Sequence, residues 1–352
     1  MAQLEPLAPA RPAAPAGADA TRSVQASQIE LDQVLPSPEA IQREISHVLS
    51  KQLSPALTEW GQRYSQVGKR NTYLWKWCRQ GVEVTALGCV APELYDEVCD
   101  TKVLGVMLDV LIDDIADQKG DGRLLEQLLR LPLEKDNYRL SKVAPKDRAY
   151  AEFTIDVWRE IHRRASRFPL YASYATLWRY DYLQLFNAMR YSHLVNEDPA
   201  LLNLAEHDAY LPHNMHIIVS STMDLMCSPG FDRRELGKLR DVIWHAQRMG
   251  RIGNLVTTWE RELGEGDYTS GVYARALVHG DVSLEQLLSG DRETIAAGIR
   301  GGRHEEYFLR QWAALGERFD LMQPMIRSVD IRRLREGYQR LICLHLGSRG
   351  YK

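Results

Sequence analysis

Residues 105–122 read GVMLDVLIDDIADQKGDG, a stretch that mixes an apolar run with a cluster of acids. Asp109, Asp113, Asp114 and Asp117 lie among or directly after aliphatic side chains. Burying one ionised carboxylate without a partner costs free energy, and burying several together costs more because like charges repel. The stretch therefore indicates either a helix end that emerges into solvent or a site that binds a cation.

The spacing of the acids bears on this choice. Asp109, Asp113 and Asp117 follow one another at four-residue intervals, so in a helix they form a column on one face, with Asp114 at its edge. A solvated helix end accounts for Asp117 and Asp121 but poorly for Asp109 and Asp113, which sit within the apolar run. Oxygen ligands favour a hard cation, and few protein ligands with room for water and phosphate favour Mg²⁺ over Ca²⁺.

A second polar column lies in RIGNLVTTWERELGEGDYTSG, residues 251–271. Asn254, Thr258 and Glu262 again follow at four-residue spacing, which places an amide, a hydroxyl and a carboxylate on one helical face. By itself such a stripe is common on solvated helices. If this column faces the aspartate column across a helical bundle, the two columns together predict a site for several Mg²⁺ ions and a diphosphate. Three arginines on or near the segment supply phosphate ligands: Arg248, Arg251 and Arg261.

The rest of the chain has helical periodicity and almost no alternating strand pattern. Ser37 and Pro38 form an N-cap and first-turn pair, and an Ala/Pro-rich segment precedes them. The prediction is a disordered tail over 1–37 and one all-α domain, a single-domain helical bundle, over 38–352. Apolar periodicity predicts helices at 39–65, 70–87, 92–117, 148–166, 170–195, 199–206, 212–226, 233–263, 270–278, 283–299, 303–325 and 330–346.

Composition excludes several functional classes. The 352 residues carry a formal net charge of -3 with 45% hydrophobic and 26% charged residues, so nothing favours nucleic acid as a partner. The five cysteines are scattered without a CxxC pair, which is typical of reduced thiols and of a cytoplasmic protein. No stretch has the length and hydrophobicity of a signal peptide or a transmembrane segment.

In having both columns, the chain resembles the bacterial, single-domain class I terpene synthases. DDIAD, with Asp113, Asp114 and Asp117, is similar to that family's aspartate-rich DDxxD motif. NLVTTWERE is similar to its second metal motif, in which Asn, Ser or Thr, and Glu follow at four-residue spacing. The similarity covers 38–352 and leans toward the diterpene synthases.

The C-terminus and the helix-break region match the family less closely. SRGYK approximates its C-terminal Arg-Tyr pair through Arg349 and Tyr351, with one glycine inserted. The diphosphate-sensing arginine expected before the Asn motif is missing from EHDAYLPHNMHIIVSSTMDL, residues 206–225. Four residues are alternatives for that role: His213, Asn214, His216 and, from the preceding helix, Arg190.

The resemblance implies a class I terpenoid synthase fold and a Mg²⁺-dependent lyase. Three Mg²⁺ ions would bind a prenyl diphosphate, and the chain would ionise it, cyclise the carbocation to a hydrocarbon or alcohol and release diphosphate. The implied metal ligands are Asp113, Asp114, Asp117, Asn254, Thr258 and Glu262, of which Asp113, Asn254, Thr258 and Glu262 are the catalytic set. The implied diphosphate ligands are Arg261, Arg349, Tyr351 and Arg190.

The cavity and the substrate are less constrained by the sequence. Ordinary core packing is the alternative for every aromatic residue, and the candidates for the cavity wall are Trp75, Trp178, Phe186 and Phe308. Geranylgeranyl diphosphate or a C20 diphosphate already cyclised by a class II partner enzyme is preferred, with C15 farnesyl diphosphate next. A homodimer is compatible with the resemblance, and the role of Asp109 is open.

Two other functions fit the same helical pattern. A chain-elongating prenyl transferase would consume isopentenyl diphosphate, and the single DDxxD motif argues against it because that class is expected to carry two. A non-catalytic helical paralogue is the third reading, and the two intact polar columns argue against it.

Overall fold

The computed structural model describes residues 35–117, 121–133 and 143–351, and in these ranges the chain forms α-helices and short 3₁₀ turns with no strand. The all-α prediction is confirmed. The helices are α1 (Pro38–Ser50), α2 (Pro55–Tyr64), α3 (Thr72–Val84), α4 (Tyr95–Asp117), α5 (Gly122–Leu128), α6 (Arg148–Ala165), α7 (Tyr171–Glu197), α8 (Leu204–Tyr210), α9 (Ile217–Met226), α10 (Leu236–Glu265), α11 (Gly271–His279), α12 (Leu284–Ser289), α13 (Arg292–Gly301), α14 (His304–Met322) and α15 (Ile331–Gly347).

Helix ends follow local capping chemistry. Ser37 caps α1 by accepting a hydrogen bond from the Ala40 amide at 3.3 Å, with Pro38 in the first turn as predicted. The helix predicted over 39–65 is two helices, because Ser54 and Pro55 start a new one. The helix predicted over 283–299 is likewise split, at Gly290. Most of the predicted tail, residues 1–34, lies outside the described residues.

Five helices form a closed ring. The aspartate helix α4 packs on α3, α3 on α15, α15 on α10, α10 on α9, and α9 again on α4. The two polar columns, on α4 and α10, therefore lie on opposite sides of the space that the ring encloses. The remaining helices pack around the ring and bury its outer apolar faces.

The register of α4 against α9 is fixed by a buried ion pair at one end. The ammonium of Lys102 donates to Asp224 at 2.7 Å, and both side chains are about 1% exposed. One turn further along α4, Gly105 lies so close to His216 that an added Cβ would meet its ring at 2.5 Å. The two segments run antiparallel, so the C-terminal part of α4 lies beside the start of α9. The C-terminal end of α4, with the aspartate column, is called its upper end, and the end with Lys102 its lower end.

No helix in the described ranges is long and apolar enough to cross a membrane.

Candidate functional site

The ring of five helices encloses a cavity with a volume of about 210 Å³. Both polar columns line it at one end, and mainly apolar side chains from α3, α4, α9 and α15 line the rest. The polar residues in that part of the lining are Thr85, Ser220, Ser221, Tyr338 and His345. The columns contribute Asp109, Asp113, Asp114, Asp117, Asn254, Thr258 and Glu262. All six residues predicted as metal ligands thus reach one cavity.

Asp113 and Asp117 form the centre of the acidic side. Asn214, in the 3₁₀ turn before α9, donates its amide to Asp113 at 2.6 Å. Burial raises the pKa of Asp113, and the neighbouring acid Asp267 adds to the rise. Burial and the charge of Asp113 raise the pKa of Asp117 well above its ordinary value. With no cation present, these carboxyls retain protons at a higher pH than ordinary aspartates do.

Asp114 has a different environment, although it borders the same cavity. Its carboxylate accepts a hydrogen bond from the guanidinium of Arg70 at 2.8 Å. This ion pair already neutralises Asp114. The geometry therefore sets Asp114 apart from Asp113 and Asp117, and it adds Arg70 to the residues at the cavity mouth.

The second column faces the acids from α10. The hydroxyl of Thr258 donates to the backbone carbonyl of Asn254 at 2.9 Å, which leaves its lone pairs available. One oxygen of Glu262 is buried without a hydrogen-bond partner. Burial, and next the charge of Asp267, raise the pKa of Glu262 from 4.5 to about 7.

Asp267 is an acid that belongs to neither polar column. Gly266 ends α10 in the left-handed conformation, at a φ of 77°, and so turns the next residue back toward the cavity. Asp267 lines the cavity, is 5% exposed and accepts a hydrogen bond from Asn196 at 3.2 Å. Its signal in the sequence is an acid directly after a helix-ending glycine, five positions beyond Glu262.

Guanidinium groups surround the same end of the cavity. Arg251 is buried, donates to the Asn254 side chain at 3.2 Å and has one nitrogen without a partner. Arg261 lines the cavity and pairs with Glu265. Together with Arg70 they place positive charge beside the carboxylates, as an anionic ligand bridged by cations requires.

Three residues predicted as diphosphate ligands lie outside the cavity. Arg349 is held by Glu305 at 2.7 Å and by the Val256 carbonyl at 2.6 Å, and Tyr351 is 75% exposed. Arg190 forms a two-point ion pair with Glu126, at 2.6 and 3.1 Å. Among the candidates for the missing sensor, Asn214 is the one that contacts the aspartate motif.

The four predicted wall aromatics do not line the cavity. Trp75 packs against Tyr64, Trp178 stacks on Trp158, Phe186 contacts Tyr182, and Phe308 lies near His207. Trp75 points away from the cavity because of its position on α3. Two residues along a helix turn a side chain by about 200°, so Trp77, two residues later, faces the cavity instead. Trp178 and Phe186 lie on α7, which is not part of the ring.

The residues present have the chemistry of a Mg²⁺ site but are not a preformed cage. Buried carboxylate oxygens of Asp117 and Glu262 lack hydrogen-bond partners, as cation ligands without their cation do. No three His, Cys, Asp or Glu side chains in the described ranges are grouped closely enough to hold a metal. Mg²⁺ suits such a site, because it keeps several waters and binds through one or two carboxylates plus phosphate oxygens.

A scan against models of protein families and a search of curated proteins both find no match to this chain.

Proposed function

We propose that the protein is a Mg²⁺-dependent class I terpene synthase, which ionises a prenyl diphosphate and cyclises the resulting carbocation. One observation carries the proposal. Two oxygen-rich columns, on α4 and α10, face each other at one end of a cavity whose other lining is mainly apolar. That arrangement suits a substrate with an anionic head and a hydrocarbon tail.

The proposed metal ligands follow from which oxygens are still available. Asp113 and Asp117, with Asp267 beside them, would hold Mg²⁺ on the α4 side, and Asn254, Thr258 and Glu262 would hold it on the α10 side. Bound Mg²⁺ supplies Lewis-acid stabilisation of the diphosphate leaving group. We assign Asp114 to its ion pair with Arg70 and not to the metal.

The chain's own residues bind the head group and orient it. Arg251 and Arg261 donate charge-assisted hydrogen bonds to phosphate oxygens, and such bonds are about twice as strong as those between neutral groups. Asn214 fixes the orientation of Asp113 through its 2.6 Å hydrogen bond. Because Asn214 lies in the 3₁₀ turn before α9, it ties that turn to the aspartate motif.

The apolar end of the cavity holds the hydrocarbon chain. Leu74, Trp77, Val82, Val106 and Leu341 present aliphatic and aromatic surface, and none of these side chains is a nucleophile. The face of Trp77 stabilises positive charge through its π electrons. C20 substrates, linear or cyclised by a class II enzyme, are the first choice and C15 farnesyl diphosphate the second.

The test is incubation of the purified protein with Mg²⁺ and either geranylgeranyl or farnesyl diphosphate, followed by gas chromatography and assay of released diphosphate. A terpene hydrocarbon or alcohol is expected. Asp113→Ala and Asn254→Ala should each lower turnover by about 100-fold or more, with unchanged helical content. Glu260→Ala is the matched control, since Glu260 lies on α10 between Thr258 and Glu262 but pairs outward with Arg300.

Other outcomes identify the rival functions. A product formed only when isopentenyl diphosphate is added indicates a prenyl transferase. Diphosphate release no faster than without protein, for both substrates, contradicts catalysis and leaves the non-catalytic paralogue. Equal turnover of wild type and Asp113→Ala contradicts the site.

A further inference from the structure

Asp109 is a buried carboxyl that the proposed metal and diphosphate ligands do not use. It lines the cavity one helical turn deeper than Asp113, is 8% exposed, and has an oxygen without a hydrogen-bond partner. Burial and the charge of Asp113 raise the pKa of Asp109 well above its ordinary value. A neutral carboxyl group both donates and accepts hydrogen bonds.

The packing of α4 on α9 shows which segment lies beside this part of α4. Gly105, one helical turn before Asp109, lies against the ring of His216 at the start of α9. His216 shares a hydrogen bond with Ser220, so the first turn of α9 lies beside the turn of α4 that leads to Asp109. Ser220 and Ser221, which lie between Asn214 and Asp224 in the chain, also line the cavity and are less than 10% exposed.

The hydroxyls of both serines retain hydrogen-bonding capacity toward the cavity. Ser221 donates its single proton to the Ile217 carbonyl at 3.0 Å, so its lone pairs accept. Ser220 shares a 3.0 Å hydrogen bond with His216, whose other ring nitrogen lies 3.2 Å from the Tyr182 hydroxyl. Burial lowers the pKa of His216 to about 3, so this chain of contacts adds no charge to the cavity.

We propose that Asp109, Ser220 and Ser221 form a polar subsite that holds one water molecule, which captures the carbocation so that the product is an alcohol. The inference rests on the proposed function and names its product class. A buried water needs a polar site with two to four partners, and these three side chains supply them. Val106, Val110 and Ile217 line the same cavity with apolar surface, which offers water no hydrogen-bond partner.

The capture step balances without an oxidant or reductant. A lone pair of the water oxygen forms the new C–O bond at the cationic carbon, and the diphosphate released from the substrate takes the proton that the oxygen then loses. Prenyl diphosphate and water thus become a cyclic alcohol and diphosphate. Asp109 acts as a positioning residue, because it holds the water and does not bond to carbon.

The experiment is turnover of farnesyl and geranylgeranyl diphosphate with Mg²⁺ in H₂¹⁸O, with products identified by mass spectrometry. Wild type should give mainly a cyclic alcohol that carries one ¹⁸O. Asp109→Leu should lower the alcohol fraction at least about fivefold in favour of hydrocarbon, because an apolar group displaces the water, while diphosphate release changes by less than about threefold. Asp109→Asn, which keeps a donor and an acceptor, should retain the alcohol.

Two further variants complete the design. Ser221→Ala should lower the alcohol fraction in the same direction, and it carries the test if Asp109→Leu does not fold. Ser173→Ala, at an exposed serine of α7 that does not line the cavity, makes the same chemical change elsewhere and should leave the alcohol fraction unchanged.

The results distinguish failure of the water subsite from failure of the proposed terpene synthase function. A wild type that releases diphosphate but makes only hydrocarbon, or an alcohol without ¹⁸O, overturns the water subsite and leaves the terpene synthase intact. An alcohol fraction unchanged in both Asp109→Leu and Ser221→Ala also overturns it. Absence of enzyme-dependent diphosphate release overturns the proposed function, and the subsite with it.

Discussion

The buried charged residues at the two ends of helix α4 differ in whether they have partners of opposite charge. At its lower end Lys102 and Asp224 form a fully buried pair, and the Leu87 amide also donates to Asp224, at 3.0 Å. Two positions earlier, Asp100 accepts from Arg79 at 2.5 Å and from Ser54 at 2.6 Å. At its upper end Asp113 and Asp117 line a cavity with no cationic partner among the hydrogen bonds and ion pairs of the described residues.

The difference separates structural charge from charge set aside for a ligand. Unpaired buried charge is expensive, and the fold supplies Lys102 and Arg79 where the acid serves packing. The upper acids cost stability unless a bound cation compensates them. Substitutions at the two ends should therefore have different effects, on stability at the lower end and on activity at the upper end.

The largest change in the free energy of unfolding is expected at the lower end of α4. Asp224→Asn leaves the Lys102 ammonium buried without its counter-charge, which should cost about 3–5 kcal/mol of unfolding free energy. Denaturant unfolding measures it. Activity per folded molecule should stay near the wild-type value, since Asp224 does not line the cavity.

The control for this variant is at the upper end of the same helix. Asp113→Asn removes a carboxylate that has no cationic partner, so the metal-free protein should not lose stability and should lose turnover instead. An Asp113→Asn protein as unstable as Asp224→Asn would show that both ends are structural.

A smaller effect is expected from ligand binding at the upper end. Mg²⁺ together with inorganic diphosphate should stabilise the protein by about 2.7 kcal/mol when the ligand is at 100 times its Kd, read as a rise in Tm. Glu262→Gln should reduce this rise, and Glu260→Gln should not, because Glu260 faces solvent and Arg300. An equal rise in both variants would place the binding elsewhere.

The sequence predicted most of the fold and the core of the site for a common reason. Helical periodicity and caps such as Ser37–Pro38 act within a few residues, so they are visible in a linear pattern. The same periodicity aligned Asp113 with Asp117, and Asn254 with Thr258 and Glu262, which the structure brings to one cavity.

What the sequence did not predict depends on rotation and on contacts between distant segments. Trp77 faces the cavity and Trp75 does not, which is set by how α3 rotates against its neighbours. Arg70 lies 44 residues before its partner Asp114, and Asp267 enters from a loop, so neither belongs to a column. Such relationships depend on tertiary packing, which no local pattern encodes.

The smallest expected effect is a pH dependence of the metal-free protein. Asp113, Asp117 and Glu262 have raised pKa values in the folded state, with Asp267 adding to the rise and Arg251 and Arg261 opposing it at Glu262. The folded protein therefore binds more protons than the unfolded chain, and stability falls as pH rises. For Glu262 the fall begins near its unfolded pKa of 4.5 and is complete above about pH 7.

Thermal melts of the metal-free protein between pH 5 and pH 8 should show a Tm that falls by a few degrees as the pH rises. Glu262→Gln should flatten part of this slope, because glutamine has no proton to lose, and Glu260→Gln should leave it unchanged. Mg²⁺ with diphosphate should stabilise the protein more at pH 8 than at pH 5, since ligands must be deprotonated to bind metal. A wild-type slope identical to that of Glu262→Gln would show that the protein already neutralises its upper acids, and the contrast between the two ends of α4 would then not hold.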